Sequence, residues 1–140
     1  MSSEYIVIDT QEAMDRFLWL VDSFHDALLR EVGIVSRGYV DTDGDMYGDV
    51  APSDMRLIIH SQFEETPYIE IIFRELKEFK WIDGYDLEPA KGSVANDLVT
   101  LVFSSNPKNF LVSGKQMEYR ILGRDCLGKQ PRTVEQIQSE

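Results

Sequence analysis

The chain holds two histidines and one cysteine, His25, His60 and Cys126. No spacing among them makes a recognisable active site. A nucleophile needs a base within hydrogen-bond reach, usually a histidine steadied by a third group. A zinc centre needs three or four His, Cys or carboxylate ligands at short, regular spacings. Phe24-His25-Asp26 comes nearest to chemistry, since an aspartate can orient a histidine as a base. Adjacent side chains usually point apart, however, so a structural role is expected. His25 would be favoured at a helix C-terminus, and Asp26 would bond backbone at the turn. His60 falls in a strand, on the face opposite Leu57 and Ile59, and is expected as an exposed cross-strand partner. Cys126, beside Arg124 and Asp125, is expected to be an inert thiol.

The loop Asp41-Thr42-Asp43-Gly44-Asp45, with Asp49 after it, places carboxylates at alternate positions. Such spacing can converge on a hard cation. The EF-hand pattern then breaks. Met46 stands where glycine belongs, and Pro52 stands where the bidentate glutamate belongs. Asp43-Gly44 is also ordinary turn chemistry. The expectation is no tight metal site and no cofactor. Glu64 and Glu65 form a second acidic pair in a turn ending at Pro67.

The net charge is −11, from 14 Lys+Arg against 25 Asp+Glu. A phosphate backbone or an anionic membrane surface would repel such a chain. A basic protein would be attracted and would meet it faster. Asp41, Asp43, Asp45, Asp49, Glu64 and Glu65 are therefore the candidate partner-binding residues, joined into one surface if the two loops meet at the same sheet end.

The elements that would position these residues read as one domain over 1–130, with a polar tail over 131–140. With 43% hydrophobic residues the chain can bury a core without staples. Glu4 to Ile8 is a short β-rich segment. Asp9 or Thr10 caps a helix near Thr10 to Ser23, whose Met14, Phe17, Leu18, Val21 and Phe24 make a one-sided stripe. Ala27 to Val40 predicts one long, bent strand. Further strands are predicted at Met55 to Phe63, Tyr68 to Leu76 and Leu98 to Ser104, then Phe110 to Val112 and Gln116 to Leu122. Phe79 to Ile82 would continue the third of these after a bulge. Asp83 to Asn96 reads as loop. The pattern implies α+β: an N-terminal amphipathic helix packed on a twisted antiparallel sheet, or a two-layer β-sandwich, of 5–7 strands. No apolar run is long enough for a membrane helix. The lone thiol and the absence of a signal-like N-terminus point to the cytoplasm.

Phe24-His25-Asp26 after a short amphipathic helix, then a long strand, then the Ile69-Glu70-Ile71-Ile72-Phe73 strand with Phe79, resembles a group of small bacterial proteins. Some of these are immunity proteins of polymorphic toxin systems. The resemblance runs from Phe17 to Trp81, with a weaker echo over Asp97 to Phe103. It implies a non-enzymatic domain that binds a toxin or another protein, and it carries no catalytic residues over. Two other readings stand beside it. One is a small-molecule or metal-binding domain using Asp41, Asp43, Asp45 and Asp49. The other is a hydrolase of unrecognised type using His25 or His60.

Overall fold

Apolar residues alternate with polar ones at a period of two through most of the chain, which is the pattern of half-buried strands. The structure is a computed structural model that describes residues 4–36, 38–48, 53–81, 87–105 and 108–123. These residues form β1 (Ile6–Ile8), α1 (Gln11–Leu20), a 3-10 turn (Asp22–Phe24), β2 (Ala27–Ser36), β3 (Tyr39–Val40), β4 (Met46–Tyr47) and β5 (Ser53–Ser61). They continue through β6 (Tyr68–Trp81), β7 (Ala90–Ala95), β8 (Leu98–Ser105) and β9 (Lys108–Leu122). The class is α+β, with one helix and a seven-stranded antiparallel sheet. The strand order is β2-β5-β6-β9-β8-β7, and β1 pairs with β9.

The two longest strands bend the sheet. The register of β6 against β9 shifts between Leu76 and Glu78, and Glu75 takes a left-handed backbone at φ 51°. Gly114 of β9 faces Leu76 there, and a Cβ on it would lie 3.0 Å from the Arg74 carbonyl. Glycine permits that close approach. On one side of the bend lie β2, β5, the start of β6 and the end of β9. On the other lie the end of β6, the start of β9, β8 and β7.

The helix and its turn fill the space between these halves. Thr10 caps α1 by accepting the Ala13 N–H at 3.0 Å. Met14, Phe17, Val21 and Phe24 are buried, and Leu18 is half-buried. Phe17 meets Tyr119 at 4.4 Å between ring centroids and Phe24 at 5.8 Å. Phe24 meets Phe103 at 5.2 Å. The helix stops at Leu20, because Asp22, Ser23 and Phe24 turn left-handed at φ 50°, 49° and 64°. Each such residue costs roughly 1 kcal/mol or more. Burial of the Phe24 ring, about 3 kcal/mol, offsets much of that.

Several sequence expectations change. The long strand ends at Ser36, and Tyr39–Val40 pairs instead with Met46–Tyr47 in a separate hairpin. The predicted loop over Asp83 to Asn96 contains β7, which turns into β8 through Asn96 and Asp97, both at positive φ. That is the backbone of a two-residue hairpin. Phe110 to Val112 and Gln116 to Leu122 are parts of one strand, running through Gly114. The predicted bulge after Leu76 is present, with Phe79 to Trp81 continuing β6. The helix follows β1 in the chain.

The two ends of the sheet differ. At β7, α1 covers the edge. The Gln11 side chain accepts the Val94 N–H at 2.9 Å and donates to the Gly92 carbonyl at 3.0 Å, taking the place of a further strand. At β2, no strand among the described residues pairs with the outer edge.

Candidate functional site

The left-handed turn carries His25 outward. Asp26 is also left-handed, at φ 54°, and this rotates its carboxylate back to 3.3 Å from His25 Nε2. His25 Nδ1 bonds the Glu88 carboxylate. The direct His25–Asp26 pair, not expected of adjacent residues, therefore exists. Glu88 was invisible to sequence reasoning, because it lies 63 positions away. The bond to Glu88, and then the charges of Asp26, Glu88 and Asp22, raise the histidine above its ordinary pKa. The two carboxylates thus favour the protonated ring over the neutral one. The sign follows. A raised folded pKa stabilises the fold fully below about pH 6.5, and the contribution is lost as pH rises through the raised midpoint. An NMR titration should place the His25 midpoint above 6.5, and Glu88→Gln should lower it. A midpoint that Glu88→Gln leaves in place would remove the clamp. His60 lies elsewhere, stacked on Tyr68 at 4.4 Å between centroids. Neither histidine lines either of the two clefts described below.

The outer sheet face carries a second constellation. Strand alternation sends Arg56, Glu70, Arg74, Glu118 and Arg120 to the side away from Leu57, Ile71 and Met117. Glu70 is buried, only 1% exposed. It accepts Arg56 Nε at 2.5 Å and Arg120 Nε at 2.6 Å, and the Tyr5 hydroxyl also donates to it. Burial alone would push its pKa up. The bonds from Tyr5, Arg56 and Arg120 outweigh that and hold it below the ordinary carboxylate value. Arg120 also lies over the Tyr5 ring at 4.5 Å. Beside this group, Arg74 joins Glu118 at 2.8 Å and Asp54 at 3.4 Å. This is a polar network that ties β5, β6 and β9 to the segment before β1.

The acidic loops separate. The connection that holds Asp41, Asp43 and Asp45 leaves β2 at Ser36 and enters β5 at Ser53. The turn with Glu64 and Glu65 leaves β5 at Ser61. They depart from opposite ends of β5, so the two loops do not share a sheet end. Asp41 has a structural task. Its Oδ1 accepts the N–H groups of Asp43 and Asp45, each at 2.9 Å, and so shapes the hairpin tip. Asp49 and Cys126 lie outside the described residues. Among the described residues, no three His, Cys, Asp or Glu side chains converge where a cation could sit.

The same hairpin exposes apolar residues. Tyr39 stacks on Tyr47 at 4.9 Å. Tyr39, Val40 and Met46, the last 80% exposed, join Ile34 and Val35 at the end of β2 as solvent-facing apolar side chains. Phe79 packs partly against the core with its edge to Phe110. A cleft of about 270 Å³ lies where the end of α1 meets the β5–β6 turn, and Glu65 lines it. A second, of about 360 Å³, lies by the β7–β8 turn with Asp9, Asp97 and Lys115 along it. No helix among the described residues is long and apolar enough to cross a membrane. No family model, no curated protein and no solved structure matches the chain.

Proposed function

We propose that the chain is a non-enzymatic protein-binding domain that occludes a basic partner, as an immunity protein occludes a toxin. The interface is the open edge of β2 together with the β3–β4 hairpin. The observation that carries this reading is the coincidence of three features there. No strand among the described residues pairs with the outer edge of β2, exposed Ile34 and Val35 lie at its end, and the hairpin that follows it in the chain exposes Tyr39, Val40 and Met46 with Asp43 and Asp45 at its tip. Soluble proteins usually blunt an open edge with charge or cover it. Apolar residues grouped at such an edge with an acidic rim suit an interface.

The test uses the protein encoded beside this gene, which the reading takes to be the toxin. Exposed charges attract over about 10 Å at 0.1 M salt. Association should therefore slow about tenfold between roughly 0.01 M and 0.15 M salt, while dissociation changes less. Asp43→Lys with Asp45→Lys should remove most of that salt dependence. Asp41 is left intact because its carboxylate shapes the turn. If the neighbouring protein does not bind, the immunity reading is wrong. If it binds at a rate indifferent to salt, the acidic rim has no part in it.

A further inference from the structure

Trp19 is 82% exposed, more than any other large apolar side chain among the described residues. Leaving a large apolar side chain in water forgoes the stabilisation that its burial would give. It stands at the last turn of α1, on the rim of the cleft of about 270 Å³. Leu20 and Phe63 supply further apolar wall, and the acidic residues Asp22 and Glu65 line the same cleft. No lysine or arginine is among the described lining residues. The nearest cation along the helix, Arg16, is paired with Glu12.

We propose that this cleft receives an arginine side chain from a protein partner, with its guanidinium over the Trp19 indole and against Asp22 and Glu65. The ligand class follows from what the walls favour and refuse. An aromatic face attracts a cation, and indole does so best. A planar guanidinium can stack on the ring and still bond carboxylates with its fork of N–H groups. Its apolar stem can lie along Leu20 and Phe63. An anionic ligand would be repelled by two carboxylates. A wholly apolar ligand would strip them of water without replacing it. Lysine offers a compact, strongly hydrated charge that stacks less well. Tryptophan and arginine are also the residue types that dominate binding energy where interfaces close over them. The proposal rests on the protein-binding reading only in taking its ligand from a protein, and it uses a different surface from the hairpin.

The experiment follows the Trp19 indole N–H by NMR while acetyl-Gly-Arg-Gly-amide is added, with lysine and citrulline peptides for comparison. Citrulline keeps the shape of arginine without the charge. The arginine peptide should shift the Trp19 signal saturably. Citrulline should bind about tenfold more weakly, and lysine several-fold more weakly. Asp22→Asn with Glu65→Gln should weaken arginine binding about tenfold. Both residues are exposed, so the spectrum away from the cleft and from His25, which feels the Asp22 charge, should stay in place. No shift at Trp19, an equal response to citrulline or lysine, or indifference to the double substitution overturns the proposal. A neighbouring protein that binds wild type and Trp19→Ala equally well also removes the cleft, yet leaves the hairpin reading standing. One that does not bind at all defeats the hairpin reading and leaves the peptide result intact.

Discussion

Replacing Phe17 with alanine should destabilise the domain by about 3–5 kcal/mol, the range for emptying a large buried aromatic site. Phe17 is only 1% exposed and joins the chain of rings that crosses the core. It touches Tyr119 on one half of the sheet and Phe24 on the helix turn, and Phe24 touches Phe103 on the other half. Its loss leaves a void between halves that the bend at Gly114 holds in place, so collapse around the void is restricted. A domain of this size has roughly 5–15 kcal/mol of stability in all. The midpoint of thermal unfolding should fall by about 10–20 °C, measured by circular dichroism. A fall of only a few degrees would mean that α1 does not bridge the two halves.

Glu70→Ala should cost about 2–3 kcal/mol through a different cause. A buried pair broken on one side typically costs about 3–5 kcal/mol, because the other charge is left uncompensated. Arg56 and Arg120 keep part of their hydration, with side chains 42% and 23% exposed, so the value here is lower. The pH dependence has a definite sign. The folded pKa of Glu70 lies below its unfolded value. Its contribution is therefore complete above the ordinary carboxylate pKa of 4.5 and is lost as pH falls through the folded value. Urea unfolding of wild type and Glu70→Gln should converge as the solution is acidified. Curves that stay equally far apart from pH 7 to about pH 3 would show that Glu70 carries no charge-dependent stability.

Much of the sheet was legible because alternation is a local property. Leu57 and Ile59, or Ile69, Ile71 and Phe73, announce one buried face without help from distant residues. The one-sided stripe from Met14 to Phe24 announced the helix in the same way. What escaped was non-local or conformational. Ala90–Ala95 reads Ala-Lys-Gly-Ser-Val-Ala and has little β-preference of its own. It is a strand because β8 pairs with it and Gln11 closes its edge. The Asn96-Asp97 turn was the one local sign of that hairpin. The pairing of His25 with Asp26 escaped because the usual rule for neighbours assumes right-handed or extended backbone, and four of the five residues from Asp22 to Asp26 are left-handed. Glu70 alternates with the apolar Ile69, Ile71 and Phe73, which marks its face of the strand and no partner. The partners Arg56 and Arg120 come from other strands, 14 and 50 positions away. The acidic loops were identified as candidate sites from composition alone, and composition says nothing about which ends of a strand they occupy.

The unequal closure of the two sheet ends sets a limit on assembly. Growth by edge-to-edge pairing needs two open edges on each molecule, so that every added copy offers a place for the next. Here the β7 end is taken up by Gln11 and α1, and β1 contributes a strand of only three residues. Whatever pairs with β2 therefore ends the series. Among the described residues, a strand added at that edge would find no second long edge to pass on, so pairing there would end with one partner even with Ile34 and Val35 facing solvent.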